Sequence, residues 1–231
     1  MSRLVLLFVF LLWPALGFGQ TANLAPETPA KWEPEIAKFE AADRTTPPPA
    51  RPVVFVGSSS IRKWDLAAFW PGQPYLNRGF GGSRLPDSVY YFDRLVKPYH
   101  PTAIVLYAGD NDFAKGATAE DVVASFTAFA TKLQQSLPGT PLLFIAIKPS
   151  RKRWAMWPEM AKANQAIAQL CEASPVLDFA DIATPMLATA PEPGTAPDES
   201  LFEKDGLHMS PKGYALWQTV LQPWLGALRA S

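Results

Sequence analysis

Short, continuous apolar runs alternate along this chain with longer segments in which apolar residues recur every three or four positions. The runs at 53–56, 103–107 and 142–147 are rich in β-branched and aromatic residues and are too short for typical helices, so they predict buried strands. Weaker runs at 75–77 and 176–178 predict two more strands. Helical periodicity covers five segments, namely 33–43, 86–97, 119–137, 158–172 and 211–228.

Strands that are apolar throughout and separated by helices are typical of a parallel sheet that is buried on both faces. Right-handed crossovers between such strands place helices on both sides of the sheet. We therefore predict an α/β protein, a three-layer α/β/α sandwich with a parallel sheet of about five strands. In sheets of this kind the functional side chains lie on the loops at the carboxyl ends of the strands.

The first 20 residues have the order of a signal peptide. Arg3 precedes an apolar run that reaches Trp13, and Pro14 and small residues follow it. The run is shorter than the roughly 20 apolar residues of a membrane-spanning helix. We expect residues 1–20 to be a signal peptide and 21–30 a linker. The protein would then be exported, to the periplasm or outside the cell, with no stable membrane insertion once the leader is removed. The alternative is an N-terminal membrane anchor.

Composition excludes several other classes. The 21 Lys and Arg residues balance 21 Asp and Glu residues, so the chain has no net charge to attract nucleic acid or an anionic membrane, and no nucleic-acid partner is expected. The single cysteine, Cys171, lies in an apolar helical segment and is expected to be a buried structural thiol. The sequence has no His/Cys cluster of the kind that binds zinc, and we predict neither a metal nor another cofactor. It does not indicate an oligomeric state.

Three serines follow the first predicted strand. The run at 53–56 leads into Gly57 and then Ser58, Ser59 and Ser60, after which a helix can begin. A serine at a strand-to-helix turn has its hydroxyl raised from the sheet, and the N–H groups of the first helical turn can bind an oxyanion there. A plain turn or a phosphate-binding loop fits the same residues. The position alone therefore indicates candidate nucleophiles without selecting one.

Two further loops at this edge of the sheet carry groups that can stabilise negative charge. Residues 77–83 contain three glycines, which allow a backbone N–H to approach a ligand closely. The third strand leads into Gly109, Asp110, Asn111 and Asp112, and an asparagine amide can donate to a developing oxyanion. A tight turn and an Asx-turn or helix cap are the alternative interpretations.

An acid and a histidine precede the C-terminal helix. Asp205 and His208 are three residues apart, so the carboxylate can bond one ring nitrogen and leave the other free to take a proton from a serine. The chain has two histidines, and the other one, His100, enters the third strand from the opposite end of the sheet. A catalytic histidine must therefore be His208. The alternative is an exposed histidine at a helix start.

In this order along the chain, the motifs resemble the sequence blocks of the SGNH (GDSL-like) hydrolase superfamily, and particularly its platelet-activating factor acetylhydrolase catalytic-subunit branch. VFVGSS at 54–59 resembles block I, GFGG at 79–82 block II, GDND at 109–112 block III and DGLH at 205–208 block V. The resemblance implies a flavodoxin-like fold, a hydrolase domain over 31–231 and the hydrolysis of carboxylic esters.

The resemblance also assigns each role to a position. It implies that Ser59 is the nucleophile, His208 the base and Asp205 the orienting acid. It implies an oxyanion hole formed by the N–H groups of Ser59 and Gly82 and the side chain of Asn111. One departure is that the usual Gly-Asp-Ser-Leu reads Gly-Ser-Ser-Ser here. The replaced acid is not a triad member, so catalysis should survive.

A basic and aromatic stretch at 148–154 follows the fourth strand and is expected to flank the site. We expect Lys148, Arg151 and Trp154 to bind substrate, and the alternative is a solvated basic loop. For an exported enzyme we expect short acyl groups, such as acetyl, on carbohydrate or on small lipid-like substrates. The alternatives are a carbohydrate O-acyltransferase with the same triad, a lysophospholipase and a non-catalytic carbohydrate-binding protein.

Overall fold

The apolar runs form five strands of one parallel sheet, in the spatial order β2-β1-β3-β4-β5. The computed structural model describes residues 31–228, and the predicted signal peptide and linker lie outside them. The strands are β1 Val53–Gly57, β2 Tyr75–Gly79, β3 Ala103–Tyr107, β4 Leu142–Ile145 and β5 Leu177–Ala180. This is the flavodoxin-like order. The strand that follows β1 in sequence lies on one side of it, and the strands from β3 onward lie on the other side. The predicted five-stranded α/β fold is confirmed.

Helices cover both faces of the sheet. Within residues 31–228 the α-helices are α1 Glu33–Thr45, α2 Ser59–Arg62, α3 Leu66–Phe69, α4 Leu85–Tyr90, α5 Phe92–Leu95, α6 Asp110–Phe113, α7 Ala119–Ser136, α8 Trp157–Glu172, α9 Ala183–Leu187 and α10 Pro211–Ala227. Short 3₁₀ helices occupy Lys97–Tyr99, Arg151–Met156 and Glu199–Leu201.

Alternate residues of β1 belong to two separate cores. Val54 and Val56 pack with residues of α1, α4, α5, α7 and α8. Val53 and Phe55 pack on the other face with residues of α2, α3, α9 and α10. Because both faces are covered, every residue of β1 is buried, which explains why the strand reads as an unbroken apolar run.

Two predicted elements are interrupted or shortened by identifiable contacts. The segment 86–97 is not one helix, because the backbone leaves the helical region at Tyr91 (φ −87°, ψ 7°), whose ring is buried edge-on against Phe80. The predicted strand at 142–147 ends at Ile145. Beyond it, the N–H and C=O groups of Ile147 bond the side chain of Asn164 at 2.8 and 2.9 Å instead of a neighbouring strand.

Cys171 is buried, as the sequence predicts. Burial, with a smaller contribution from the charge of Asp178, raises the pKa of its thiol to about 12, so the thiol is protonated and unreactive at neutral pH. None of the helices described between residues 31 and 228 combines the length and the apolar character that a bilayer crossing needs.

Candidate active site

The end of β1 is the point from which the site is built. Gly57 has φ +135°, and a Cβ there would lie 1.9 Å from the carbonyl oxygen of Tyr107 on β3, so only glycine fits. The N–H of Ser58 donates to that same oxygen at 3.0 Å. The chain therefore leaves the sheet between β1 and β3, and Ser59 begins α2 at the switch point where ligands bind in such folds.

The three adjacent serines have different surroundings. The hydroxyl of Ser59 lies 2.9 Å from Nε2 of His208. The hydroxyl of Ser60 is bonded by Nζ of Lys148 at 3.1 Å. Ser58 is buried, and its hydroxyl has no hydrogen-bond partner among residues 31–228. Of the three hydroxyls, that of Ser59 is the one in contact with an imidazole.

Asp205 and His208 are joined by a hydrogen bond between their side chains. Oδ2 of Asp205 lies 2.5 Å from Nδ1 of His208, while Oδ1 accepts the backbone N–H groups of Leu207 and His208, both at 2.9 Å. Burial tends to raise the pKa of Asp205, but these hydrogen bonds lower it well below its ordinary range. The ionised carboxylate holds a proton on Nδ1, which leaves Nε2 free to accept the Ser59 proton.

The helix that follows His208 is tied to the serine turn. The hydroxyl of Tyr214, in the first turns of α10, donates to the backbone carbonyl of Ser60 at 2.7 Å. Its ring stacks on Trp64, with centroids 5.1 Å apart, and both rings are buried. The elements that carry Ser59 and follow His208 are therefore held by one aromatic cluster.

The predicted oxyanion donors lie on neighbouring loops. Within the described residues, neither the N–H of Ser59 nor that of Gly82 donates to a backbone carbonyl, so both are available to a ligand. Gly82 has φ +79°, a conformation that favours glycine. The side chain of Asn111, at the start of α6, donates from Nδ2 to the carbonyl of Ser83 at 2.9 Å. That bond joins the loop after β2 to the loop after β3.

A buried charged cluster lies behind these donors, and it corrects one prediction. Lys148 is completely buried, and its Nζ bonds Oδ2 of Asp110 at 2.6 Å and the hydroxyl of Tyr107 at 2.8 Å, as well as Ser60. The prediction that Lys148 binds substrate is wrong, because its ammonium group is enclosed by protein. The sequence signal for this buried ion pair is the position of Lys148 directly after the apolar run 142–147.

Arg153 completes this cluster and was not among the predicted site residues. Its Nη1 lies 3.0 Å from Oδ2 of Asp110, and its Nη2 donates to Oδ1 of Asn111 at 2.8 Å. Burial tends to raise the pKa of Asp110, but the charges of Lys148 and Arg153 outweigh it and lower that pKa. The carboxylate is therefore ionised between two cations.

The other two predicted substrate-binding residues lie on the surface. Arg151 is exposed, and its Nη1 donates to the carbonyl of Pro197 at 3.0 Å. Trp154 and Trp157 stack with nearly parallel rings, 8° apart in plane and 6.4 Å between centroids. They form one wall of a cavity of about 780 Å³, which is otherwise lined by Ala155, Pro158, Leu187, Ala188, Ala190, Glu192, Pro193, Gly194 and Thr195.

The 3₁₀ helix Arg151–Met156 runs from this cavity to the loop that carries Asp205 and His208. The N–H of Lys152 donates to the carbonyl of Gly206, inside the Asp205–His208 loop, at 3.0 Å. The next residue, Arg153, contacts Asn111, and the one after it, Trp154, faces the cavity. The segment that lines the cavity therefore also contacts Asn111 and the Asp205–His208 loop.

Comparisons with known proteins indicate the family and the fold. The model of the GDSL-like lipase/acylhydrolase family matches residues 57–216 of the chain, a span that includes all three residues of the hydrogen-bonded serine, histidine and aspartate. None of the curated proteins matches the chain.

Solved structures with the same fold include a protein of Streptococcus pneumonia assigned as a platelet activating factor, at 21% identity and a TM-score of 0.73, covering 85% of this chain and 93% of that one. A GDSL-like lipase of Bacteroides thetaiotaomicron has 19% identity and a TM-score of 0.70, with 84% and 97% covered. A carbohydrate esterase family 3 protein of Talaromyces cellulolyticus has 17% identity and a TM-score of 0.61, with 78% and 98% covered. At these identities the likeness is one of fold.

Proposed function

The chain belongs to the GDSL-like lipase/acylhydrolase family and is a hydrolase of ester bonds, and from this premise we propose that it is a serine esterase with Ser59 as nucleophile, His208 as base and Asp205 as orienting acid. The observation that carries the proposal is the continuous hydrogen-bond chain from the Ser59 hydroxyl to Nε2 of His208 (2.9 Å) and from Nδ1 to Oδ2 of Asp205 (2.5 Å). This is the arrangement in which an imidazole takes the proton of an attacking serine.

The reaction proceeds in two steps, acylation of Ser59 and hydrolysis of the acyl-serine. Oγ of Ser59 bonds to the ester carbonyl carbon as its proton moves to Nε2 of His208, and a tetrahedral oxyanion forms. The carbon–oxygen bond to the alcohol then breaks, and the leaving oxygen takes the proton from Nε2. Water attacks the acyl-serine and gives a proton to Nε2, which returns it to Oγ as the bond to the serine breaks. The products are one alcohol and one carboxylic acid.

Three donors stabilise the oxyanion in this proposal. They are the N–H groups of Ser59 and Gly82, which no backbone carbonyl of residues 31–228 occupies, and Nδ2 of Asn111. Such donors bind the charge that develops in the transition state more strongly than the neutral carbonyl of the substrate, and each contributes about 10²-fold or more to turnover.

Short acyl esters of carbohydrate are the substrates we propose. The side chains of His208 and Asp205 are 18% and 38% exposed, so the site is open enough to admit a bulky alcohol such as a sugar chain. The paired rings of Trp154 and Trp157 line a cavity next to Arg153, which contacts Asn111, and one solved structure of the same fold is a carbohydrate esterase.

The experiment measures p-nitrophenyl acetate hydrolysis by the wild-type protein, by Ser59→Ala and by Ser58→Ala. We expect Ser59→Ala to lower kcat by about 10⁴-fold or more, whereas Ser58→Ala, which removes a buried hydroxyl away from the imidazole, should stay within about twofold of wild type. Equal activity in wild type and Ser59→Ala would reject the proposal. Adding an acceptor sugar to the same assay separates hydrolysis, which yields acetate, from transfer, which yields a new sugar ester.

A further inference from the structure

The carboxamide of Asn111 is held at both ends. Its Nδ2 donates to the carbonyl of Ser83 at 2.9 Å, and its Oδ1 accepts from Nη2 of Arg153 at 2.8 Å. A flipped amide would set Nδ2 against the guanidinium, which has only donors, and Oδ1 against the Ser83 carbonyl, which has only lone pairs. One orientation is therefore selected, and in it one N–H of Nδ2 remains for a further acceptor.

The guanidinium of Arg153 also forms an ion pair with Asp110. Nη1 lies 3.0 Å from Oδ2 of Asp110, the oxygen that also accepts from Lys148. The side chains of Lys148, Asp110 and Arg153 are 0%, 4% and 13% exposed. The planar fork of arginine lets one side chain contact Asp110 and Asn111 at once, which a lysine ammonium on a flexible stem does not reproduce.

Two basic side chains contact the same carboxylate oxygen, Oδ2 of Asp110. Lys148 alone would neutralise Asp110, and burying a second cation costs free energy that the ion pair does not require. What Arg153 adds to the cluster is its hydrogen bond to Oδ1 of Asn111.

We propose that Arg153 is a positioning residue that acts through Asn111. It holds Oδ1 so that the remaining N–H of Nδ2 is aimed at the oxyanion, and its charged hydrogen bond to Oδ1 polarises the amide and strengthens that N–H as a donor. The ion pair with Asp110, a carboxylate that Lys148 also binds, holds Arg153 in place. This role rests on the proposed function, in which Asn111 stabilises the tetrahedral intermediate.

The role has a kinetic signature that a purely structural contact lacks. An interaction made only in the transition state lowers kcat and leaves KM unchanged when it is removed. Because Arg153 acts through Asn111, its loss should have no further effect once the Asn111 carboxamide has been removed. Two residues that serve as one unit give such non-additive effects in a double-mutant cycle.

The test is that cycle, with p-nitrophenyl acetate as substrate and four proteins: wild type, Arg153→Met, Asn111→Ala and the double variant. We expect kcat losses of about 10²-fold for Asn111→Ala and about tenfold for Arg153→Met, with KM within about twofold of wild type. The double variant should match Asn111→Ala within about twofold. Losses that multiply, or an unchanged kcat in Arg153→Met, would overturn the proposal.

Two further variants keep the result interpretable. Arg153→Lys keeps a cation beside Asp110 without the planar fork, so it should fold with the thermal midpoint of wild type and still lose about tenfold in kcat, again without adding to Asn111→Ala. Full kcat in Arg153→Lys would mean that charge alone suffices, and the positioning role would be wrong. Lys152→Met, a loss of an exposed cation in the same segment, is the matched control and should retain wild-type kcat.

Ser59→Ala is measured in the same series to separate the two proposals. If hydrolysis depends on Ser59 but the cycle is additive, Arg153 has no positioning role and the esterase proposal stands. If hydrolysis does not depend on Ser59, the esterase proposal itself fails.

Discussion

The hydroxyl of Tyr214 reaches across 154 positions of the chain to donate a 2.7 Å hydrogen bond to the backbone carbonyl of Ser60. It joins the helix that follows His208 to the turn that carries Ser59, and so it bears on the 2.9 Å contact between their side chains. A misplacement of about 1 Å between a catalytic serine and its base can lower the rate by about 10²-fold. The packing of α10 is therefore part of how the proposed triad is held.

Removing this hydroxyl should loosen the site. In Tyr214→Phe the ring still stacks on Trp64, but the buried carbonyl of Ser60 loses its donor, which costs about 1–3 kcal/mol in the free energy of unfolding. We expect a lower thermal midpoint and a several-fold fall in kcat on p-nitrophenyl acetate, because Ser59 moves relative to His208. A variant with a lowered midpoint and wild-type kcat would show that the bond serves stability alone.

Asp205→Asn should separate the chemistry of the proposed triad from its folding. The asparagine oxygen can still accept the backbone N–H groups of Leu207 and His208, so the loop should keep its shape and the thermal midpoint should change little. Without a carboxylate, the imidazole loses the group that holds its proton on Nδ1, and kcat should fall by about 10³ to 10⁴-fold. A fall of tenfold or less would place the orienting acid elsewhere.

Several parts of this structure could be predicted from local pattern. The strands and the long helices α1, α7, α8 and α10 follow from hydrophobic runs and periodicity, because burial decides those positions. The short helices α3 and α9 do not, since four or five residues span little more than one turn and show no periodicity.

The candidate site also has contacts that could be predicted from local sequence and contacts that could not. Asp205 and His208 are close in sequence, so their pairing could be predicted from spacing. The contact between Lys148 and Asp110 could not, because it depends on β3 and β4 being neighbours and on a charge being buried against the usual preference of lysine. Local sequence also could not select a nucleophile among the three serines at 58–60. The hydrogen-bond partners that distinguish Ser59 and Ser60 are more than 80 positions away in the chain.

The corrected place of Lys148 leads to a prediction for stability. Lys148→Met should lower the free energy of unfolding by about 1–3 kcal/mol, because the buried carboxylate of Asp110 and the buried hydroxyl of Tyr107 each lose a hydrogen-bond donor. Arg153 still neutralises the charge of Asp110. Adding Asp110→Asn removes the carboxylate as well, so the double variant should lose less than the sum of the two single losses. Urea unfolding measures all three. A raised KM with an unchanged free energy of unfolding would instead indicate that Lys148 binds substrate.

Asp112 should make stability depend on pH. Both of its oxygens accept the N–H of Leu85, at 3.1 and 3.2 Å, and burial, with the charge of Asp110, raises the pKa of its carboxyl to about 7 from an ordinary 3.8. Between about pH 4 and pH 7 the folded state keeps a proton that the unfolded chain has lost, so this carboxyl lowers the free energy of unfolding as pH rises through that window, by a few kcal/mol at most.

Asp112→Asn tests that dependence. The asparagine oxygen can still accept from Leu85, and the side chain carries no charge at any pH, so its unfolding free energy should fall less between pH 4.5 and pH 7.5 than that of wild type. Urea titrations of both proteins at the two pH values give the difference directly. Parallel pH profiles for the two proteins would mean that Asp112 is ionised in the folded state throughout the window.

The cavity lined by Trp154 and Trp157 leads to a prediction about substrate. If the rings of Trp154 and Trp157 hold the sugar of an acetylated oligosaccharide, Trp154→Ala removes one of two stacked surfaces and should raise KM for that substrate about tenfold, which corresponds to about 1.4 kcal/mol of binding. The small ester p-nitrophenyl acetate does not need the cavity, so its kcat/KM should stay within about twofold of wild type. Met156→Ala, which truncates an exposed apolar side chain of the same segment that does not line the cavity, is the matched control. Equal losses on both substrates would mean that Trp154 supports the segment holding Arg153 and does not bind sugar.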